Sequence, residues 1–205
     1  MKSLSYIHRF EPGIDASAPP LLLLHGTGGN EHDLIALGQD LVPGAALLSP
    51  RGDVLEHGMP RFFRRFAEGV FDFADVEKRT HALADFIAAA AGGYGFDSKR
   101  LVAVGYSNGA NIAASLLLLR PEALAAAVLL RPMVVLTPVR VPDLAGKRVL
   151  IASGRTDPIV PTDHPSRLAA LLRQGGAEVS LQMHAAGHGL TATDFALARD
   201  FFTRR

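Results

Sequence analysis

One serine in this chain of 205 residues is framed as a nucleophile would have to be. Gly105-Tyr106-Ser107-Asn108-Gly109 follows four apolar residues, Leu101 to Val104, and precedes a run at helical spacing, Ala110 to Leu119. A strand, a G-x-S-x-G turn and a helix, in that order, make a nucleophile elbow. The serine Oγ is then exposed on a sharply turned and strained backbone. Glycine is needed on both sides because any side chain there would collide where the helix crosses the strand. The glycine and serine content predicts the bare pattern about 0.09 times by chance, and the flanking elements lower that further. Ser107 is the candidate nucleophile.

A serine hydroxyl attacks efficiently only when a base takes its proton, and the base needs a third group to fix its tautomer. Around such an elbow the chain order is Ser, acid, His, each from a loop at the carboxyl end of a strand. Three histidines follow Ser107. His164 sits between Asp163 and Pro165 at a helix start, where capping accounts for it. His184 shares the parity of Glu178, Ser180 and Gln182, which places it on the polar face of a strand. His188 lies in Gly187-His188-Gly189, whose glycines would let the backbone bend the imidazole toward Ser107; it is the expected base, ahead of His184. Among Asp143, Asp157, Asp163 and Asp194, only Asp157 stands just beyond a strong buried strand, in a loop stiffened by Pro158 and Pro161. An ordinary turn aspartate is the bland alternative for it. Asp163 suits a helix cap, and Asp194 falls inside the last helix.

Upstream, His25-Gly26-Thr27-Gly28-Gly29-Asn30 ends the apolar run Pro20 to Leu24. A dinucleotide fingerprint fails because Glu31 stands where the third glycine belongs, and no GK[ST] completes a phosphate loop. The remaining readings are a plain glycine turn and an oxyanion loop. In the second, the Thr27 and Asn108 backbone N–H groups would receive the charge of a tetrahedral intermediate.

These residues must be carried by alternating elements. Strands are expected over 4–10, 20–24, 46–49, 101–104, 125–130, 148–152 and 178–184, and helices over 31–41, 76–91, 110–119, 165–174 and 191–204. That alternation implies an α/β fold with a mainly parallel central sheet and helices on both faces. Residues 51–75 show no clean period and read as a long functional loop carrying Phe62, Phe63, Arg61, Arg64 and Arg65. Each arginine taken singly reads as solvated.

Composition narrows the class. Hydrophobic residues are 48% and charged residues 20%, as in a globular domain, and the length fits one domain over 1–205. A net charge of +1 argues against nucleic acid as partner. The absence of cysteine excludes thiolate catalysis and disulfides and is compatible with a reducing compartment. MKSLSYIHRFEPG lacks the apolar core of a signal peptide, and no apolar run is long enough to span a bilayer. A cytoplasmic location without membrane insertion is expected.

HGTGGN, RGDVLEHGMPRFFRRFAEGVFD, VAVGYSNGANIAAS, RPM, SGRTDPIVP and AAGHGLT, in that order, resemble the phospholipase/carboxylesterase family of α/β-hydrolases. That family is related to the acyl-protein thioesterases and dienelactone hydrolases. The resemblance covers residues 20 to the C-terminus. It implies an α/β-hydrolase fold and a serine carboxylesterase with no cofactor and no metal; once the core strands and helices are assigned, no segment is left long enough for a helical cap domain. It also gives Ser107, Asp157 and His188 the triad roles and Thr27 and Asn108 the oxyanion roles. The expected partner is a small ester, with a homodimer left open, and Phe62, Phe63, Met133 and Leu190 are the expected apolar walls. A lysophospholipase or acyl thioesterase with the same triad, or a binding protein retaining the site, are the alternatives.

Overall fold

The computed structural model describes residues 4–203. Among the described residues, seven strands form the main sheet: β1 (His8–Glu11), β2 (Leu21–Leu24), β3 (Leu47–Pro50), β8 (Val102–Tyr106), β9 (Ala126–Leu130), β10 (Arg148–Gly154) and β11 (Glu178–His184). Their spatial order is β1-β3-β2-β8-β9-β10-β11. Only β1 runs antiparallel to its neighbour, pairing His8 with Pro50 and Glu11 with Leu47. Strand β8, which carries the elbow, lies at the centre between β2 and β9. Continuous apolar runs such as Leu21 to Leu24, all fully buried, are what a strand covered on both faces requires.

Five α-helices of the described residues cover the sheet: α1 (Ile35–Leu41), α2 (Phe73–Tyr94), α3 (Asn108–Leu119), α4 (His164–Gln174) and α5 (Ala192–Thr203). Strand parity divides the core. Leu22, Leu24, Ala103, Leu129 and Ile151 pack with α2, α3 and α4, whereas Leu21, Leu23, Val104, Leu130 and Ala152 face α1 and α5. Helix α2 is capped by Asp72, whose carboxylate accepts from the Asp75 N–H, and ends on left-handed Gly95 (φ 78°). Helix α3 buries all but one of its residues, as expected for the element wedged behind the central strand.

The elements follow the expected series with three main differences. The first strand, expected over 4–10, begins only at His8 and runs to Glu11, residues 4–7 being bend and irregular chain. Helix α1 starts only at Ile35, because Glu31 to Leu34 are spent in turns. Residues 51–75 are also not one irregular loop. They fold into two small hairpins, β4 (Val54–Glu56) with β5 (Met59–Arg61), and β6 (Arg65–Ala67) with β7 (Val70–Phe71), and then into the first turn of α2. The first hairpin turns on His57-Gly58 with both residues at positive φ (50° and 81°), and Gly69 in the second has φ 74°. Among the described residues no helical cap covers the carboxyl edge, and no helix is long and apolar enough to cross a membrane. Arg204, the end of the expected last helix, lies outside the described residues.

Candidate active site

Strand β8 delivers Ser107 into the left-handed region at φ 52°, ψ −114°, immediately before α3. Its N–H donates to the Leu130 carbonyl at 2.8 Å and its own carbonyl accepts from the Asn111 N–H at 2.9 Å, so the strain is held from both sides. The two glycines are sterically required. A Cβ on Gly105 would lie 2.6 Å from the Gly109 carbonyl oxygen, and one on Gly109 would lie 2.0 Å from the Leu24 carbonyl oxygen.

Asp157 stands in the loop after β10. One carboxylate oxygen accepts from the Ile159 and Val160 N–H groups at 2.8 and 3.1 Å, and the other meets His188 Nδ1 at 2.8 Å. His188 Nε2 lies 2.9 Å from Ser107 Oγ. The carboxylate places the imidazole proton on Nδ1 and leaves Nε2 free to accept from the serine. Asp157 is 1% exposed and His188 18%, so the carboxylate is sheltered while the imidazole faces the cavity. The glycines beside His188 play a different part from the one expected. Gly187 and Gly189 keep φ outside the left-handed region; a Cβ on Gly187 would meet only the Thr156 oxygen at an ordinary 3.9 Å, and one on Gly189 would meet nothing within 4 Å. Gly154, at the end of β10, is the tight position: a Cβ there would lie 2.1 Å from the Ala186 oxygen and 2.5 Å from that of Gly187.

A cavity of about 240 Å³ opens over Ser107 and His188, lined also by Thr27, Asn108, Asn111, Met133 and Ile159. Among the described residues, neither the Thr27 nor the Asn108 backbone N–H has an acceptor, which leaves both available to an oxygen placed there. The β4–β5 hairpin fixes Thr27: Arg61 Nη1 donates to its hydroxyl at 2.5 Å, and the Gly28 N–H donates to the Pro60 carbonyl at 2.9 Å. Behind it, the Gly52 N–H donates to His25 Nε2 at 3.0 Å. Burial pushes the His25 pKa below its ordinary value, which suits that acceptor role.

Arg61 and Arg65 both line the cavity, while Arg64 turns away to Asp72. Arg65 donates to Glu56, and Arg61 reaches the same carboxylate at 3.5 Å, so one anion serves two cations. Burial, with the repulsion of Arg65, pulls the Arg61 pKa down to about 10. A larger groove of about 580 Å³ lies elsewhere and contains none of these residues. Among the described residues there is no cluster of side chains able to hold a metal.

Residues 65–199 match the dienelactone hydrolase family. The chain belongs to that family. The Bacillus subtilis protein MhqD, which carries the name of a hydrolase, is 48% identical over 195 residues, 95% of this chain and 96% of that one. The carboxylesterase of Bacillus cereus superimposes with a TM-score of 0.95 at 48% identity, over 98% of this chain and 94% of that one. The carboxylesterase of Mesorhizobium loti does so at 0.89 and 34% identity, over 98% and 96%. This dienelactone hydrolase family member therefore has the α/β-hydrolase fold and is a hydrolase of the carboxylesterase kind.

In this family member the structure brings Ser107, Asp157, His188, Thr27, Asn108 and Met133 to one place. It does not bring the other three expected wall residues there. Phe62 and Phe63 are 1% and 0% exposed and turn into the core beneath the hairpins, because an aromatic ring gains more by full burial than at a wet rim. Leu190 packs toward α5 on the opposite face of the sheet. Sequence reasoning also left the pairing of two residues beside the site unread, setting Asp194 aside as part of the last helix. Arg131 and Asp194 form a bidentate pair at 2.6 and 2.7 Å, both side chains wholly buried. The available signal was an arginine closing an apolar strand run, Ala126 to Leu130.

Proposed function

We propose that this protein hydrolyses small to medium carboxylic esters through an acyl-enzyme on Ser107. One observation carries the reading: an unbroken hydrogen-bond chain from Ser107 Oγ through His188 to a sheltered Asp157. His188 Nε2 takes the hydroxyl proton as Ser107 Oγ attacks the ester carbonyl carbon. The Thr27 and Asn108 N–H groups receive the oxyanion, and removing one such donor typically costs about 3 kcal/mol of barrier. The C–O bond to the alcohol then breaks, with His188 returning the proton to the leaving oxygen. Water, deprotonated by the same imidazole, attacks the acyl-enzyme; the acid departs and Ser107 regains its hydrogen.

Cavity size supports the acyl preference, since about 240 Å³ is below the roughly 300–1,000 Å³ of sites that enclose drug-sized ligands. The test combines labelling with turnover. A fluorophosphonate should add once, at Ser107, and a p-nitrophenyl ester should turn over steadily. Labelling that persists in Ser107→Ala would sink the assignment. A single stoichiometric burst without turnover would make the protein a binder that has kept the site.

A further inference from the structure

The three carbonyl oxygens of Gly187-His188-Gly189 are all held by side chains from outside that turn. Arg131 Nε donates to the Gly187 oxygen at 3.0 Å, the Tyr106 hydroxyl to the His188 oxygen at 3.2 Å, and Arg131 Nη2 to the Gly189 oxygen at 3.1 Å. Arg131 Nη1 also reaches the Ala152 oxygen on β10 at 3.2 Å. Adding the two bonds to Asp194 gives every N–H of the guanidinium a partner. Asp194 in turn accepts from the Thr191 N–H and hydroxyl at 2.8 and 2.9 Å, at the head of α5. The Arg131 backbone sits at φ 58°, a conformation that costs an arginine free energy and persists only where its surroundings impose it.

A wholly buried ion pair is weak ground for stability, because an apolar pair of similar volume is often as good or better. What an apolar pair could not supply is the planar fork that grips carbonyls on both sides of His188. Arg131 also follows Leu130, whose carbonyl holds the strained Ser107 N–H. One dipeptide therefore references both the nucleophile and the turn that carries the base.

We infer that Arg131, oriented by Asp194, is the positioning residue that sets the reach of His188 to Ser107. This rests on His188 being the base. The role is geometric: Arg131 touches neither substrate nor the reacting atoms, and acts through the backbone of the 187–189 turn.

The test uses fluorophosphonate incorporation, whose final stoichiometry counts competent sites and whose rate constant reports activation of Ser107 at each site. The double variant Arg131→Met/Asp194→Leu removes the charges together and spares the fold an unpaired buried ion. It should label to full stoichiometry about a hundredfold more slowly, the scale of a 1 Å misplacement. For ester substrates kcat should fall by a similar factor with KM little changed. Arg131→Lys keeps Asp194 paired but cannot fork across both carbonyls. It should slow labelling roughly tenfold, and it decides the matter if the double variant fails to fold. Full stoichiometry at the wild-type rate in Arg131→Lys or the double variant would overturn the proposal. So would a reduced number of sites each reacting at the wild-type rate, which would make the pair merely structural. His188→Ala run in parallel separates the two readings: wild-type labelling there removes the base assignment itself.

Discussion

Gly154 offers the sharpest test of how the site is assembled, because it touches no reacting atom and its effect follows from one distance. Placing a Cβ on it puts that carbon 2.1 Å from the Ala186 oxygen, and moving to the 3.4 Å of ordinary contact demands about 1.3 Å of retreat. Strand β10 gives little, since Gly154 is registered against His184 of β11 and the strand is held by β9 up to Ala152. The yielding partner is the 186–188 backbone. The 2.9 Å bond between His188 and Ser107 does not survive such a shift, because beyond about 3.5 Å it is no longer a hydrogen bond. Gly154→Ala should therefore lose about a hundredfold in kcat. Its overpacking cost of about 1–3 kcal/mol should lower Tm at roughly 2–4 °C per kcal/mol for a chain of this size. Gly189→Ala is the control, with nothing within 4 Å of its Cβ, and should keep kcat/KM within about twofold. Steady-state kinetics on an activated ester with parallel thermal melts would check both. If Gly154→Ala matched the wild type, or Gly189→Ala lost as much, the packing argument for the 186–188 loop would fail.

Three further outcomes are expected. Across acetyl, butyryl, octanoyl and palmitoyl esters, kcat/KM should peak at or before octanoyl; a palmitoyl maximum would refute the small-cavity reading. Arg65→Ala should lower kcat/KM for anionic relative to neutral esters about fivefold, the worth of one partly hydrated charge pair near 1 kcal/mol. Arg61→Ala should depress both substrates because it also holds Thr27, and Arg64→Ala should change neither; an unchanged anionic-to-neutral ratio in Arg65→Ala would return Arg65 to an ordinary surface role. Hydrogen bonds from Arg51 hold the Glu31 carboxyl at about 2 instead of 4.5. A depressed carboxyl contributes its stability fully above pH 4.5 and loses it as pH falls toward 2. In urea melts at pH 5 and pH 3, the wild type should therefore lose more stability than Glu31→Gln, and equal losses would contradict this.

The parts of the site that could be read from the chain are those whose chemistry is local. Gly105 and Gly109 announce themselves because two backbones meet there, and Asp157 because it stands just beyond a buried strand. Phe62 and Phe63 could not be placed, since an apolar ring suits a core and a cleft wall equally and a loop has no period to tell them apart. The hairpins were hidden for a related reason: strands of two or three residues carry no alternation. Only the turn pairs His57-Gly58 and Glu68-Gly69 marked them. Arg131 and Asp194 lie 63 residues apart, and no pattern along the chain says that two isolated charges will share one dry pocket. His188 was chosen for its glycine neighbours, yet its path across the sheet is made possible by Gly154, 34 positions earlier.

The two hairpins hydrogen-bond as separate two-stranded units and add no strand to the main sheet. For protein engineering this makes them a cassette. Residues 54–71 leave at the end of β3 and rejoin at α2, so their tips can be lengthened or exchanged between relatives without re-registering the sheet. Three fasteners must travel with any graft: Pro60 for the Gly28 N–H, Arg61 for the Thr27 hydroxyl, and the Phe62 N–H that donates to Asn108 Oδ1 at 2.8 Å. A transplant that keeps them can change what the cavity admits while leaving Thr27, Gly28 and Asn108 where they are. One that drops them changes selectivity and rate together.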